Sequence, residues 1–384
     1  MSFPKMRLDK VCRITMGQAP SGDSYNFDGH GLALIAGAGD FGKETPEPKK
    51  YTTAAGKRSE EGEIILCIRA TIGDLNWSDK KYCLGRGVAG LFGHKDKLDQ
   101  KYLWHWLKNI APLLKSKGKG ATFLQVTKED ICSLEIALPP LAEQHRIAAI
   151  LDQADELRQK RQQAIEKLDQ LLQATFIDMF GDPVSNPKGW DIFKSKSLFQ
   201  APPRIGTTTP ANGEGIPVVR VGELGQFHID FEKCGRVQIS ESDFKKYELK
   251  NGDLVLARAI GSKNQLGKCS YFSQYFEPVC IDSHVMRLRP DPKKMHPLWF
   301  YFLLSSDQGK KILQSKGGAT AVQFNINSAQ ANDLDIALPP LSEQAKFVEI
   351  ANKILKNKDS HIKSLEKNNL LFSSLQNQAF NGTL

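Results

Sequence analysis

Over residues 1–140 the apolar residues fall in short runs bounded by glycine, proline or charge. ALIAG (33–37), EIILCIR (63–69), VAGLF (88–92) and SLEIAL (133–138) therefore read as strands. DQKYLWHWLKNIAPLLKSK (99–117) places Leu103, Trp106, Leu107, Ile110, Leu113 and Leu114 at helical spacing. That spacing predicts one amphipathic helix, bent or interrupted around Pro112. Residues 186–340 repeat the scheme, with strands near IPVVRVG (216–222), DLVLARA (253–259) and VMRLRP (285–290) and helices over PLWFYFLLSS and DQGKKILQS.

The pattern changes at 141–180 and 341–380. Ile147, Ile150, Ala154, Leu157, Ala164, Leu168 and Leu171 step by three and four, with Arg161 in the one gap. This is a heptad seam and predicts a long coiled-coil-like helix. At ~1.5 Å per residue, a helix over 141–179 would run roughly 58 Å. The second segment has Phe347, Ile350 and Ile354, then polar Asn357 and His361, then Leu365, Phe372 and Ala379. Two such helices can pair antiparallel and hold the globular parts at the ends of a rod. The linker DPVSNPKGW (182–190) ends the first helix with two prolines and a glycine.

The halves share wording as well as pattern. LEIALPPLAEQ (134–144) returns 200 residues later as LDIALPPLSEQ (334–344), identical at nine of eleven positions. Upstream, SKGKGAT (116–122) matches SKGGAT (315–320), and GEIILCIRATIG (62–73) matches GDLVLARAIGS (252–262). Several landmarks in one order argue for internal duplication, at a period far above the 20–50 residues of stacked repeats.

A length of 384 residues suits two or three domains. Hydrophobic content of 40% and charged content of 25% are those of a globular protein, and no run approaches 18 apolar residues, so no transmembrane helix is expected. The start, MSFPKMRLDK, lacks the apolar core of a signal peptide. Seven cysteines without a CxxC pair suit reduced thiols in a cytoplasmic protein, and neither zinc nor another metal is expected. The net charge of +9 favours an acidic partner such as nucleic acid, without deciding for it.

LPPLAEQHRIAAILDQAD, the long helix after it, MFGDPVSNPKGW and the repeat of the whole arrangement resemble the specificity subunit of type I restriction–modification enzymes. The resemblance covers nearly the whole chain. It implies an α+β fold with two similar mixed α/β target-recognition domains (1–140 and 186–340) and two long antiparallel coiled-coil-like helical spacers (141–185 and 341–384), related by a pseudo-twofold repeat. It further implies a non-catalytic reader of a bipartite double-stranded DNA target. The helices would set the gap and dock two modification subunits that carry S-adenosylmethionine and methylate adenine. Restriction and motor subunits using ATP and Mg²⁺ would complete the enzyme. The second helix is much less like the first than the strand before it is like its counterpart. Ile147, Ile150, Leu157, Leu168, Leu171, Phe347, Ile350 and Ile354 are the spacer and docking candidates.

DNA contacts should come from Lys and Arg to phosphate and from Arg, Asn, Gln, Ser or Thr to bases. The candidates are Arg69, Thr71, Arg86, Lys117 and Lys119 in the first half, and Arg220, Arg258, Lys263, Asn264, Gln265 and Lys316 in the second. Arg69 and Arg258 each end an apolar strand in places that look equivalent. The competing reading of each is a solvated or structural charge. Arg146, Arg158, Lys160, Arg161 and Lys167 alternate with Glu156, Glu166 and Asp169, which reads as a solvated or docking helix face.

Catalytic signatures fail on inspection. GAGDFGKE (37–44) approaches a phosphate-binding loop, but Glu44 replaces the metal-binding hydroxyl and TPEPKK cannot open a helix. The Pro pairs sit in LPPL, unlike the Asn/Asp-Pro-Pro-aromatic motif of adenine methyltransferases. The alternative to a DNA reader is a coiled-coil scaffold with two protein-binding domains.

Overall fold

The computed structural model describes residues 3–120, 124–260, 267–316, 318–319 and 324–384. The chain forms two compact units, one of residues 1–162 with 362–384 and the other of 163–361.

The first unit is built on a four-stranded antiparallel sheet in the order Cys12–Met16, Val88–Gly93, Ile64–Cys67, Leu75–Trp77. The central strand Ile64–Cys67 is buried at all four positions. Side chains alternate along a strand, so Ile64 and Leu66 enter the main core while Ile65 enters a smaller cluster with Ala33, Ile35, Tyr82, Leu84 and Val88. That cluster lies under a second sheet in which Leu32–Ile35 runs parallel to Cys83–Leu84. The other face is covered by the helix Gln100–Ser116, whose Tyr102, Leu103, Trp106 and Leu107 are buried. Asp99 caps that helix by accepting the Tyr102 N–H at 2.8 Å. The helix runs unbroken through Pro112.

The second unit repeats the frame. Its sheet order is Phe199–Ile205, Val285–Pro290, Asp253–Ala257, Cys269–Phe272, and Ile216–Val219 runs parallel to Cys280–Ile281. Leu254 and Leu256 face one cluster, Val255 and Ala257 the other. The covering helix differs: here it is two helices, Pro297–Ser305 and Asp307–Lys316, separated at Ser306. Short capped helices, Lys128–Cys132 after Thr127 and Ser328–Asn332 after Asn327, also correspond.

The repeated LPPLxEQ motif has a physical role. Gln144 is fully buried. Its Oε1 accepts the Asp99 N–H at 2.8 Å, and its Nε2 donates to the carbonyls of Lys97 and Pro139, each at 2.8 Å. Gln344, equally buried, accepts the His296 N–H at 2.8 Å and donates to the Pro339 carbonyl at 2.8 Å. In both units one glutamine ties the diproline loop to the start of the covering helix and satisfies backbone groups that burial would otherwise orphan.

The long helices span Leu141–Phe180 and Leu341–Asn381. Within the first unit their segments are antiparallel: Arg146 Nη2 donates to the Leu384 carbonyl at 3.0 Å and Arg158 Nε to Asn369 Oδ1 at 2.7 Å. Within the second, Lys358 Nζ donates to Asp169 Oδ1 at 2.5 Å, and Phe347 meets Phe176 and Phe180 with ring centroids 5.3 and 5.6 Å apart. Positions 158 and 369 in one pair and 358 and 169 in the other obey the 200-residue duplication. The buried stripe differs from the expected seam. It runs through Ile147, Ala148, Leu151, Ile165, Leu172 and Phe176, and Leu157 and Leu171 stand 42% and 48% exposed. In the second helix Phe347 is buried, Ile354 half-buried and Ile350 exposed. In each unit the helix segments are buried against the domain core as well as against each other, which asks for a wider stripe than a two-helix seam.

No helix among the described residues is long and apolar enough to cross a membrane.

Candidate nucleic-acid interface

In the first unit several strand ends meet along one rim. Leu32–Ile35 ends at Ala36 and Gly37, Cys83–Leu84 at Gly85, and Ile64–Cys67 runs on to Arg69. They enclose an open cleft of about 400 Å³ lined by Arg69, Thr71, Arg86, Tyr25, Gly37 and Gly39 among others. The backbones approach closely here: a Cβ on Gly87 would lie 2.1 Å from the Ala36 carbonyl oxygen, so only glycine fits. The chain turns sharply after Arg69, because Ala70 holds a φ of 56°. Left-handed backbone costs a residue with a Cβ about 1–2 kcal/mol. The turn leaves Thr71 exposed at the cleft.

Three of the five first-half candidates thus share one cleft. Arg69 is half-buried and oriented by Gln125, whose Oε1 accepts from Arg69 Nε at 2.7 Å and from Arg69 Nη2. Arg86 is exposed between buried Gly85 and Gly87. Among the described residues, neither arginine is paired with a carboxylate. Lys119 is exposed and joins the same group through its backbone, which exchanges hydrogen bonds with that of Gln125 at 3.0 and 2.9 Å. Lys117 caps the C-terminus of the covering helix, where a cation suits the helix dipole. GAGDFGKE supplies part of the glycine wall and no phosphate-binding helix follows it.

The second-half candidates are dispersed. Arg220 is exposed but bonded to Glu223 at 3.0 Å, and the same carboxylate accepts the Arg220 N–H at 2.7 Å. Arg258 donates to the carbonyls of Ser283 at 2.9 Å and Ile326 at 3.4 Å, and so ties loops together. Lys316 pairs with Asp333 at 2.7 Å, and Asp333 also takes Lys194 at 2.8 Å. Hydrogen bonds from Lys194 and Lys316 hold that carboxyl down at about 2. Lys263, Asn264 and Gln265 lie outside the described residues.

The strand register corrects the apparent equivalence of Arg69 and Arg258. Ile68 donates to the Gly87 carbonyl and accepts from Val126, at 2.9 and 3.1 Å. Arg258 donates to the His284 carbonyl and accepts from Ile326, at 3.1 and 2.9 Å. Arg258 therefore occupies the place of Ile68, and Arg69 that of Ala259. One residue along a strand reverses the face, so the two arginines are not counterparts.

Sequence reasoning missed Gln125. The only available signal was its place in the duplication: Arg69 bridges to Gln125 where Ala259 pairs with Asn325, 200 residues later. The cysteines offer no site. All seven are free thiols, and burial pushes those of Cys12 and Cys280 up to about 12. Among the described residues no cluster of His, Cys, Asp or Glu could hold a metal.

A duplicated frame with divergent polar rims defines a class of two-part recognition proteins, and comparison with known proteins identifies the family. The type I restriction modification DNA specificity domain matches residues 3–167 and again 187–370. A Methanocaldococcus jannaschii protein, provisionally named the type I restriction enzyme MjaX specificity subunit, is 38% identical over 162 residues, which is 41% of this chain and 38% of that relative's length. The type I restriction enzyme StySPI specificity subunit of Salmonella potsdam is 23% identical over 320 residues, 79% of this chain and 69% of that one. The fold is similar to the S subunit of a type I restriction-modification system from M. genitalium, with a TM-score of 0.61 at 17% identity over 99% of this chain and 96% of that one. The chain belongs to the type I restriction–modification DNA specificity family and carries its domain twice, the make-up of a specificity subunit with two target-recognition domains.

Proposed function

We propose that this chain directs a type I restriction–modification enzyme to a bipartite, asymmetric site in double-stranded DNA. Each unit reads one half-site. The long helices set the unread gap and dock the modification subunits, which carry S-adenosylmethionine and methylate adenine. Restriction subunits using ATP and Mg²⁺ join for cleavage. The chain contributes recognition and no catalytic group, and it works in the cytoplasm, where the DNA is. One observation carries the reading: the same four-strand sheet order occurs twice, with different side chains on corresponding rim positions. A conserved frame with variable polar ends is what reading two different short sequences requires, because phosphate contacts position a protein and base contacts specify its site.

The test is a map of N6-methyladenine in DNA from a methylation-free host that co-expresses this chain with the modification protein encoded beside it. The expected result is one bipartite motif with a fixed gap, lost when this chain is omitted. Unchanged methylation without this chain, or a soluble complex that methylates nothing and shows no salt-sensitive DNA binding, would contradict the proposal and favour a scaffold.

A further inference from the structure

We infer that Arg69 and Gln125 act as one preassembled reader of a guanine in the half-site taken by the first unit. This rests on the reading of the chain as a DNA specificity subunit and goes beyond it by naming the base and the atoms.

The argument is one of donors and acceptors. Gln125 Oε1 is the acceptor for both Arg69 Nε and Arg69 Nη2. That contact uses the carbonyl of the glutamine and one edge of the guanidinium. Among the described residues no acceptor meets the N–H groups of Arg69 Nη1 or the amide N–H groups of Gln125, and all of them are donors. Both lone pairs of Gln125 Oε1 are engaged by those two donors, so neither side chain retains an unused acceptor. Arg69 lines the cleft beside exposed Arg86, with Gln125 bonded to it from outside the lining, and no carboxylate is paired to either arginine among the described residues.

Donors on two adjoining side chains suit an edge that presents two acceptors. In the major groove guanine offers N7 and O6 together, whereas adenine adds a donor at N6 and cytosine presents a donor at N4. Phosphate oxygens also accept, but a phosphate contact needs no orienting partner. Here Gln125 fixes the guanidinium plane, which lowers the entropy lost on forming a two-pronged contact. Gln125 is thus a positioning residue for Arg69 and a second donor.

The second unit supports the assignment by contrast. The corresponding pair is Ala259 and Asn325. Asn325 Oδ1 is buried without a hydrogen-bond partner among the described residues, so that place carries no guanidinium and leaves an acceptor. Two halves that read different sequences should differ at their reading pairs.

The experiment uses the complete complex with its modification subunit. The wild-type motif is first mapped by N6-methyladenine sequencing, and Gln125→Ala, Gln125→Glu and Arg69→Lys complexes are then mapped in the same host. Purified complexes are titrated with duplexes carrying the mapped site and with duplexes in which each guanine of one half-site is replaced by adenine. For the wild type, one guanine is expected to matter by roughly tenfold or more. In all three variants the affinity ratio at that position should collapse toward one, with the other half-site and the gap unchanged. Gln125→Glu keeps an acceptor for Arg69, so it tests the lost amide donors without loosening the arginine. An unchanged ratio in all three variants would overturn the inference, as would a salt slope reduced at every sequence alike, which marks a phosphate contact. So would a motif with no guanine in either half-site. Failure of the wild type to give any bipartite motif is a different result, and it strikes the parent reading instead.

Discussion

The two units share a frame and part company at the rim. Both have the same four-strand order, the same parallel strand pair and the same buried glutamine holding the diproline loop. At the rim, Arg69 and Gln125 in the first unit correspond to Ala259 and Asn325 in the second. The arginine that looked like a counterpart, Arg258, is spent on two backbone carbonyls. The difference teaches that burial governs what duplication preserves. Positions that satisfy buried backbone groups are fixed by energetics common to both units, and rim positions answer to whatever each unit reads.

That contrast can be broken in graded ways. The largest effect should come from the clamp. Gln144→Ala strands the Asp99 N–H and the Lys97 and Pro139 carbonyls, and Gln344→Ala strands the His296 N–H and the Pro339 carbonyl. At ~1–3 kcal/mol for a buried unsatisfied group, partly relieved by relaxation, each variant should lose roughly 2–4 kcal/mol and show a lower Tm in calorimetry. Near-identical losses would confirm a shared frame, and a loss in one unit alone would refute it. Next comes Arg258→Met, which removes two charge-assisted bonds to the Ser283 and Ile326 carbonyls. It should destabilise by about 2 kcal/mol in urea titration. Arg69→Met should cost less stability and more DNA affinity, so the two substitutions should separate on those axes.

A smaller effect concerns pH. His105 is buried in the first unit against Phe372 and bonded to Asp152 at 2.8 Å. Burial holds its pKa below the ordinary value, outweighing the hydrogen bond it donates to Asp152. The neutral form is therefore favoured in the folded state. The stability this confers is present above the unfolded pKa, near 6.5, and is lost as pH falls through the folded value. Tm measured from pH 7.5 down to pH about 5 should decline, and His105→Asn should flatten that decline. An equal slope in the variant would place the effect elsewhere.

Much of this frame was legible in the sequence because buried strands announce themselves as apolar runs. EIILCIR and DLVLARA were placed as strands, and the structure has Ile64–Cys67 and Asp253–Ala257 there. The LPPLxEQ repeat was visible, but the purpose of its glutamine was not, because its partners are backbone groups that pattern cannot show. The helix seam was misjudged where Leu157 and Leu171 keep heptad spacing yet stand exposed, while Leu151, Ile165 and Leu172 take the burial. Arg69 and Thr71 stand apart from Arg86 in the sequence, and only the fold brings all of them to one cleft. Gln125 had no property of its own to single it out.

The most direct measurement of the central claim is a methylation map after residues 186–330 are replaced by the corresponding domain of another family member, in complex with the same modification subunit. The account requires one half of the motif to change while the other half and the gap remain. A change in both halves, or in neither, would contradict it.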